Sequence, residues 1–305
     1  MIDCHYDLLT ILYCCYLKDD FSYIKKIQED LKEVDGLIAN LYFMSRKEME
    51  EELHITEINV VEMFKISTEL FQKYFKEKKV IYSIEGCDYI KDEEELEELY
   101  HLGLRNILLV WNNENSYGSG NRSKKGLTNL GKSFIRKAVD LGIMIDLSHM
   151  NKKTFYDTTD LLKELKKEGK KVSVIASHSN NYSLCHHPRN LEDDQLLILK
   201  ELDGKVGIVS YGPFIEKDSK NLEEYYLKHI KHMEKILGIN SIMVSTDNME
   251  FATDLFGIEE GISLFTHKTV KNTLYEILKK DYNEEEMEKI IKLNALELLE
   301  EMKIC

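Results

Sequence analysis

Eight short apolar runs suited to β-strands recur along this chain, separated by longer amphipathic stretches suited to helices. The strand-sized runs are Met1–Leu8, Leu37–Phe43, Val80–Glu85, Asn106–Trp111, Met144–His149, Val172–His178, Val206–Tyr211 and Ser241–Asp247. Between them lie Ser22–Val34, Ile58–Lys78, Glu93–Leu102, Leu130–Leu141, Lys153–Glu168, Glu192–Leu202 and Leu222–Leu237, each spaced for a helix. This alternation predicts an α/β protein with a parallel sheet, because parallel neighbours need a crossover segment between them. Two architectures fit: a closed (β/α)8 barrel, or an open doubly wound sheet. The polar residues decide between them. His5, Asp7, Glu85, Trp111, His149, His178 and Asp247 all fall at or just past the C-terminal end of a run. In a barrel those ends converge on one mouth, whereas in an open sheet they would spread along an edge. The expectation is a TIM-type (β/α)8 barrel forming a single domain over residues 1–305. The tail after Ile262 is too long for a plain loop and is expected to add C-terminal helices.

Lys and Arg total 41 against 55 Asp and Glu, a formal net charge of −14. So acidic a surface argues against nucleic acid or an anionic membrane as partner. The first residues carry no cationic stretch and no small-residue cleavage site, and no run of about 18 uncharged apolar residues occurs. The six cysteines, Cys4, Cys14, Cys15, Cys87, Cys185 and Cys305, show no CxxC spacing and read as reduced thiols. The expected setting is cytoplasmic. The expected partner is a small molecule, with a homodimer left open.

Residues i and i+2 of a strand project from one face, so His5 and Asp7 can grip one cation together. Glu85 closes an apolar run, where an unpaired carboxylate costs several kcal/mol unless a cation or hydrogen bonds meet it. His149 and His178 end consecutive strands, and neutral imidazole is the commonest zinc ligand. Each feature alone has an ordinary structural reading. Together, three imidazoles and two carboxylates on four strand ends suit two divalent ions, zinc by donor type, with one carboxylate between them. Asp247 closes the last strand, where it could handle a proton or bind an amine.

In order, the blocks Asp3-Cys-His-Tyr-Asp-Leu, Ile84-Glu-Gly, Gly126-Leu-Thr-Asn-Leu-Gly, Leu141-Gly-Ile-Met-Ile-Asp-Leu-Ser-His, Ala176-Ser-His-Ser and Arg189-Asn-Leu-Glu-Asp-Asp resemble the successive motifs of the membrane (renal) dipeptidase family. The resemblance runs from residue 3 to about residue 250. It implies a zinc-dependent dipeptidase in which His5 and Asp7 hold one ion, His149 and His178 hold the other, and Glu85 bridges them. It further implies that Arg189 binds the substrate's terminal carboxylate. Asp247 would sit beside a water held between the ions, whose hydroxide attacks the peptide carbonyl. The chain departs from the family at two points. Trp111 stands where members carry a substrate-contacting His, which leaves Trp111 and Asn112 as candidate substrate-binding residues. A late Gly-Asn-x-x-Arg motif appears only as Leu293-Asn-Ala-Leu-Glu. Rival readings are an amidohydrolase acting on N-acyl amino acids, cyclic amides or lactones, or a metal-stabilised binding protein without turnover.

Other features read as structural. His229 and His232 are expected on a solvated helix face, His186 and His187 as an exposed pair, and Cys14-Cys15 as core. Asn112–Lys125 reads equally as a lid over the mouth or as an ordinary loop.

Overall fold

The computed structural model describes residues 1–302 except Ile55 and residues 258–260, so Cys305 lies outside the described residues. Eight strands form one sheet in chain order: β1 (Ile2–Tyr6), β2 (Gly36–Tyr42), β3 (Lys79–Glu85), β4 (Leu104–Leu108), β5 (Met144–Asp146), β6 (Val174–Ala176), β7 (Lys205–Val209) and β8 (Ile242–Ser245). Every neighbouring pair is parallel. The ring closes where the Asp247 amide donates to the His5 carbonyl at 3.2 Å. This is the expected (β/α)8 barrel, with its helices outside.

Period-two alternation sorts the strand residues. Leu37, Ala39 and Leu41 of β2 face the surrounding helices, while Ile38 and Asn40 face inward. The interior is layered. Ile2, Ile38, Ile81, Met144, Ile175 and Met243 make an apolar floor. Above it lie small polar groups such as Ser83 and Asn106, joined by a 2.8 Å hydrogen bond. Glu85 and the histidines crown the mouth. The helix Asn294–Glu301 closes the opposite end by packing Ala295, Leu298 and Leu299 onto the floor. Asn294 ties it down by donating to the carbonyls of Ile239 (2.8 Å) and Ile242 (2.7 Å).

The outer helices bury one stripe each, as Val60, Phe64, Phe71 and Phe75 do in Val60–Phe75. Two caps matter for the mouth. Thr128 accepts from Gly131 N to start Asn129–Leu141, and Asn151 accepts from Thr154 N to start Lys152–Lys167, two residues past His149.

Several expectations need correction. The stretch Ser22–Val34 divides into a helix, Ser22–Asp30, and a 3-10 turn, Leu31–Glu33. Leu8–Leu17, whose apolar sequence shows no clear face, is a helix. The tail contains the helices Val270–Leu278, Glu284–Glu288 and Asn294–Glu301, the last two joined through a π turn. His229 is not on a solvated face. It is fully buried, its Nδ1 accepting from Asn181 N (3.1 Å) and its Nε2 facing Ile215 O (2.9 Å).

Candidate active site

Glu85 ends β3 on the inward face shared with Ile81 and Ser83, and Gly86 turns the chain immediately after it. Only glycine serves there: φ is +84°, and a Cβ would lie 2.2 Å from the Phe43 carbonyl oxygen. The carboxylate spans two groups of imidazoles. Its Oε2 lies 3.1 Å from His5 Nε2, and its Oε1 lies 2.9 Å from His149 Nε2 and 3.8 Å from His178 Nε2. His149 and His178 bring their Nε2 atoms to 2.9 Å of each other. On the other side, His5 Nε2 is 3.8 Å from Asp7 Oδ1 and 3.9 Å from Asp247 Oδ1. The ligand-capable atoms of His5, Glu85 and His178 lie within 4.8 Å of one another, as do those of His5, Asp7 and Asp247. His149 and Asp247 both take left-handed backbone, φ 70° and 47°, a strain that persists where surrounding contacts impose it.

The far side of each ring is engaged. His149 Nδ1 is 3.1 Å from Asn112 Oδ1, His178 Nδ1 is 2.8 Å from Ser177 Oγ, and His5 Nδ1 is 3.1 Å from Asn40 Nδ2. Asn112 therefore faces a histidine, and Asn113 is occupied too, its amide donating to Glu48 Oε1.

Burial would strip the proton from His5, but Glu85, Asp247 and Asp7 outweigh it and push its pKa up to about 10. Burial, reinforced by Glu85, raises Asp7. Asp247 is raised by burial as well. Burial also opposes ionisation of Glu85, yet the adjoining imidazoles of His5 and His149 hold its carboxyl well below the usual range. His149 is driven down to about 3 by burial and by Arg189, and His178 falls by burial and by the charge on His5. The cluster thus concentrates carboxylates that draw positive charge, which His5 answers by holding a proton, beside two imidazoles, His149 and His178, that resist protonation. Asp7 Oδ1 and Glu85 Oε1 are buried with no hydrogen-bond partner. With Nδ1–H of His149 given to Asn112, its Nε2 presents a lone pair toward His178 and Glu85. Divalent cations fit this donor set, because each would meet atoms that now repel one another.

Arg189 is buried beside the cluster. Its Nη2 reaches His178 O at 3.5 Å, its Nε has no partner, and burial lowers its pKa to about 10. Among the described residues no carboxylate comes within ion-pair distance of it. His187 is half-buried rather than exposed: its Nδ1 accepts from Arg189 N at 3.2 Å and its ring lies 4.4 Å from that of Phe214. Trp111 stands at the edge of the mouth, edge-on to Tyr42 at 5.2 Å and 6.1 Å from His149. The segment 112–125 is tied down through paired Gly120 and Met150 and through Asn151, which donates to Ser123 O and Lys125 O.

One buried pair was not singled out from sequence. Asp3 accepts from Thr246 N (2.8 Å), Thr246 Oγ1 (2.5 Å) and His5 N (3.2 Å), and its Oδ2 lies 2.7 Å from His267 Nε2. It anchors the backbone on either side of the β1–β8 seam. The only signal for Asp3 was its place in the first motif. His267 lies in a tail with no pattern to mark it.

The family model for the membrane dipeptidases, peptidase family M19, matches residues 52–304. This chain belongs to the membrane dipeptidase family. The match begins after His5 and Asp7, so the structure alone brings these two to the other candidate residues. A dipeptidase from Claviceps purpurea is 26% identical over 225 residues, 72% of this chain and 49% of its own length. An uncharacterised protein from Acinetobacter calcoaceticus is 31% identical over 172 residues, 53% of this chain and 52% of its own. The chain spans about half the length of these curated relatives. In fold it is similar to a metallopeptidase from Rhodobacter sphaeroides, solved with a phosphinate mimic of L-Ala-D-Ala, at TM-score 0.74 and 21% identity over 99% of both chains. It is likewise similar to a probable dipeptidase from Pseudomonas aeruginosa, at TM-score 0.69 and 15% identity, covering 92% of this chain and 88% of that one.

Proposed function

We propose that this member of the membrane dipeptidase family is a two-metal dipeptidase that hydrolyses free dipeptides. The observation that carries the reading is Glu85, whose two oxygens face different imidazole groups, His5 at 3.1 Å and His149 at 2.9 Å. His5 and Asp7 would hold one divalent ion, His149 and His178 the other, and Glu85 both. The mixed nitrogen and oxygen donors suit zinc. When bound, the ions supply Lewis acidity for the peptide carbonyl and an acidified water.

The protein's own groups do the rest. Arg189 offers a planar, permanently charged fork with no internal carboxylate to satisfy it, which suits the C-terminal carboxylate of the substrate. Such an anchor limits the substrate to very short peptides. Asp247 lies on the His5 side of the cluster, where its Oδ1 can take a proton from the attacking water and return it to the departing amine. Trp111 and Tyr42, edge-on to each other at 5.2 Å, wall one edge of the mouth.

The test is a hydrolysis screen on metal-reconstituted protein, using Ala-Ala in L,L and L,D forms with the corresponding dipeptide amides. Cleavage of the free dipeptides is expected. Arg189→Lys should raise KM for them by about tenfold or more, as loss of a charge-assisted bidentate contact does. The amides should change little. Absence of cleavage across the screen, or equal losses for acids and amides, would count against the reading.

A further inference from the structure

A cavity of about 360 Å³ opens off the site, with His149 and Arg189 in its inner wall and Lys124, Lys152 and Lys153 around it. None of the residues that line it carries a carboxylate. That is unusual on a chain whose net charge is −14. Two lysines are held from outside the lining, Lys152 by Glu192 at 2.5 Å and Lys153 by Asp157 at 3.0 Å. Lys124 and Arg189 have no ion-pair partner among the described residues; with Arg189 committed to the substrate's terminal carboxylate, Lys124 is the uncompensated positive group left at the rim. Its wall also contains buried polar atoms without partners: Arg189 Nε, Ser179 Oγ and Asn190 Oδ1.

The direction of the cavity matters. It includes His149 and Arg189, but not His5, Asp7 or Asp247. With a dipeptide's terminal carboxylate on Arg189 and its amine toward Asp247, the C-terminal side chain enters this space. We propose that the cavity seats the C-terminal side chain of the substrate and selects an acidic one, aspartate or glutamate; this rests on the dipeptidase reading above. A carboxylate there meets the free ammonium of Lys124 and the already paired ones of Lys152 and Lys153, while a lysine side chain would be repelled by Lys124. The methylenes of the side chain lie against Leu147, Met150 and Leu191, which line the same space.

The comparison that isolates charge is Ala-Glu against Ala-Gln, which are nearly equal in shape, with Ala-Lys as the opposite extreme. For metal-loaded protein, kcat/KM for Ala-Glu should exceed that for Ala-Gln by about tenfold, mostly through KM, the sum of a few part-screened charge contacts. The ratio should shrink as salt rises from about 0.05 to 0.5 M. Lys124→Glu should lower the ratio several-fold. Lys167→Glu, the same charge change on an exposed residue at the end of the helix Lys152–Lys167, should leave it in place. Equal rates for Ala-Glu and Ala-Gln, or equal losses in the two variants, would overturn the proposal. Calorimetry with free glutamate and glutamine reads the cavity without turnover. Tighter glutamate binding that Lys124→Glu weakens supports the proposal even if no dipeptide is cleaved, a result that would sink only the dipeptidase reading. Equal binding of the two amino acids overturns it.

Discussion

His149 is held at Nδ1 by Asn112 Oδ1, on backbone with φ 70°, and so aims Nε2 at Glu85 and His178. Asn112→Leu removes the acceptor that selects its tautomer, and loss of such a contact typically costs 10–100-fold in metal affinity. Competition with a chromogenic chelator should show that loss, with Asn112→Asp largely retaining affinity. Unchanged affinity in the leucine variant would mean that the ring is oriented by packing alone. His229 gives a pH prediction. Its pKa is lowered to about 4, chiefly by burial, and a proton on Nδ1 would also displace the Asn181 N–H that Nδ1 accepts from. A histidine depressed in the folded state contributes stability that is fully present above its unfolded pKa of about 6.5 and is lost as pH falls toward 4. Unfolding free energy should therefore fall between pH 7 and 4.5, by on the order of 3 kcal/mol from this residue. His229→Gln, which can accept and donate at the same positions, should flatten that limb. Equal acid limbs in both proteins would contradict the assignment. His229 was misread from sequence because the lysines around it mark a solvated face, and only the packed structure shows that its own side chain turns inward.

At the scale of elements, the strand–helix alternation was legible because parallel strands buried on both faces leave long apolar runs. The strand ends were less so. Leu147, Ser148, Ser177 and His178 are as buried as the strands before them, so the runs extend past the paired residues of β5 and β6. The final helix was expected as a helix, but not as a plug for the barrel floor. Leu298→Ala should cost about 2–4 kcal/mol by leaving a cavity against the apolar floor, read as a lower midpoint in chemical denaturation. Metal content should stay intact, since the floor lies at the opposite end from Glu85. A variant that keeps full stability would show that the helix end is loosely seated. Gly86→Ala should act differently, lowering stability and metal content together, because the Phe43 carbonyl leaves no room for a Cβ at the turn that aims Glu85.

Across the whole molecule, five proposed ligands from β1, β3 and the loops after β1, β5 and β6 meet only because the sheet closes on itself. Their convergence was foreseeable from strand-end positions, while the Asp3–His267 clamp joins residues 264 positions apart and left no pattern in the chain. Ions that bind the folded state alone add roughly 2.7 kcal/mol each at a hundred times their dissociation constant. Chelation should therefore lower Tm, and zinc should restore it. The most direct measurement of the central claim is elemental analysis of wild-type protein and Glu85→Gln after reconstitution and desalting. Wild type should hold close to two divalent ions per chain. Glu85→Gln should fall well below two, because a neutral amide cannot neutralise either cation. A wild type that holds none, or a Glu85→Gln protein that still holds two, would contradict the account.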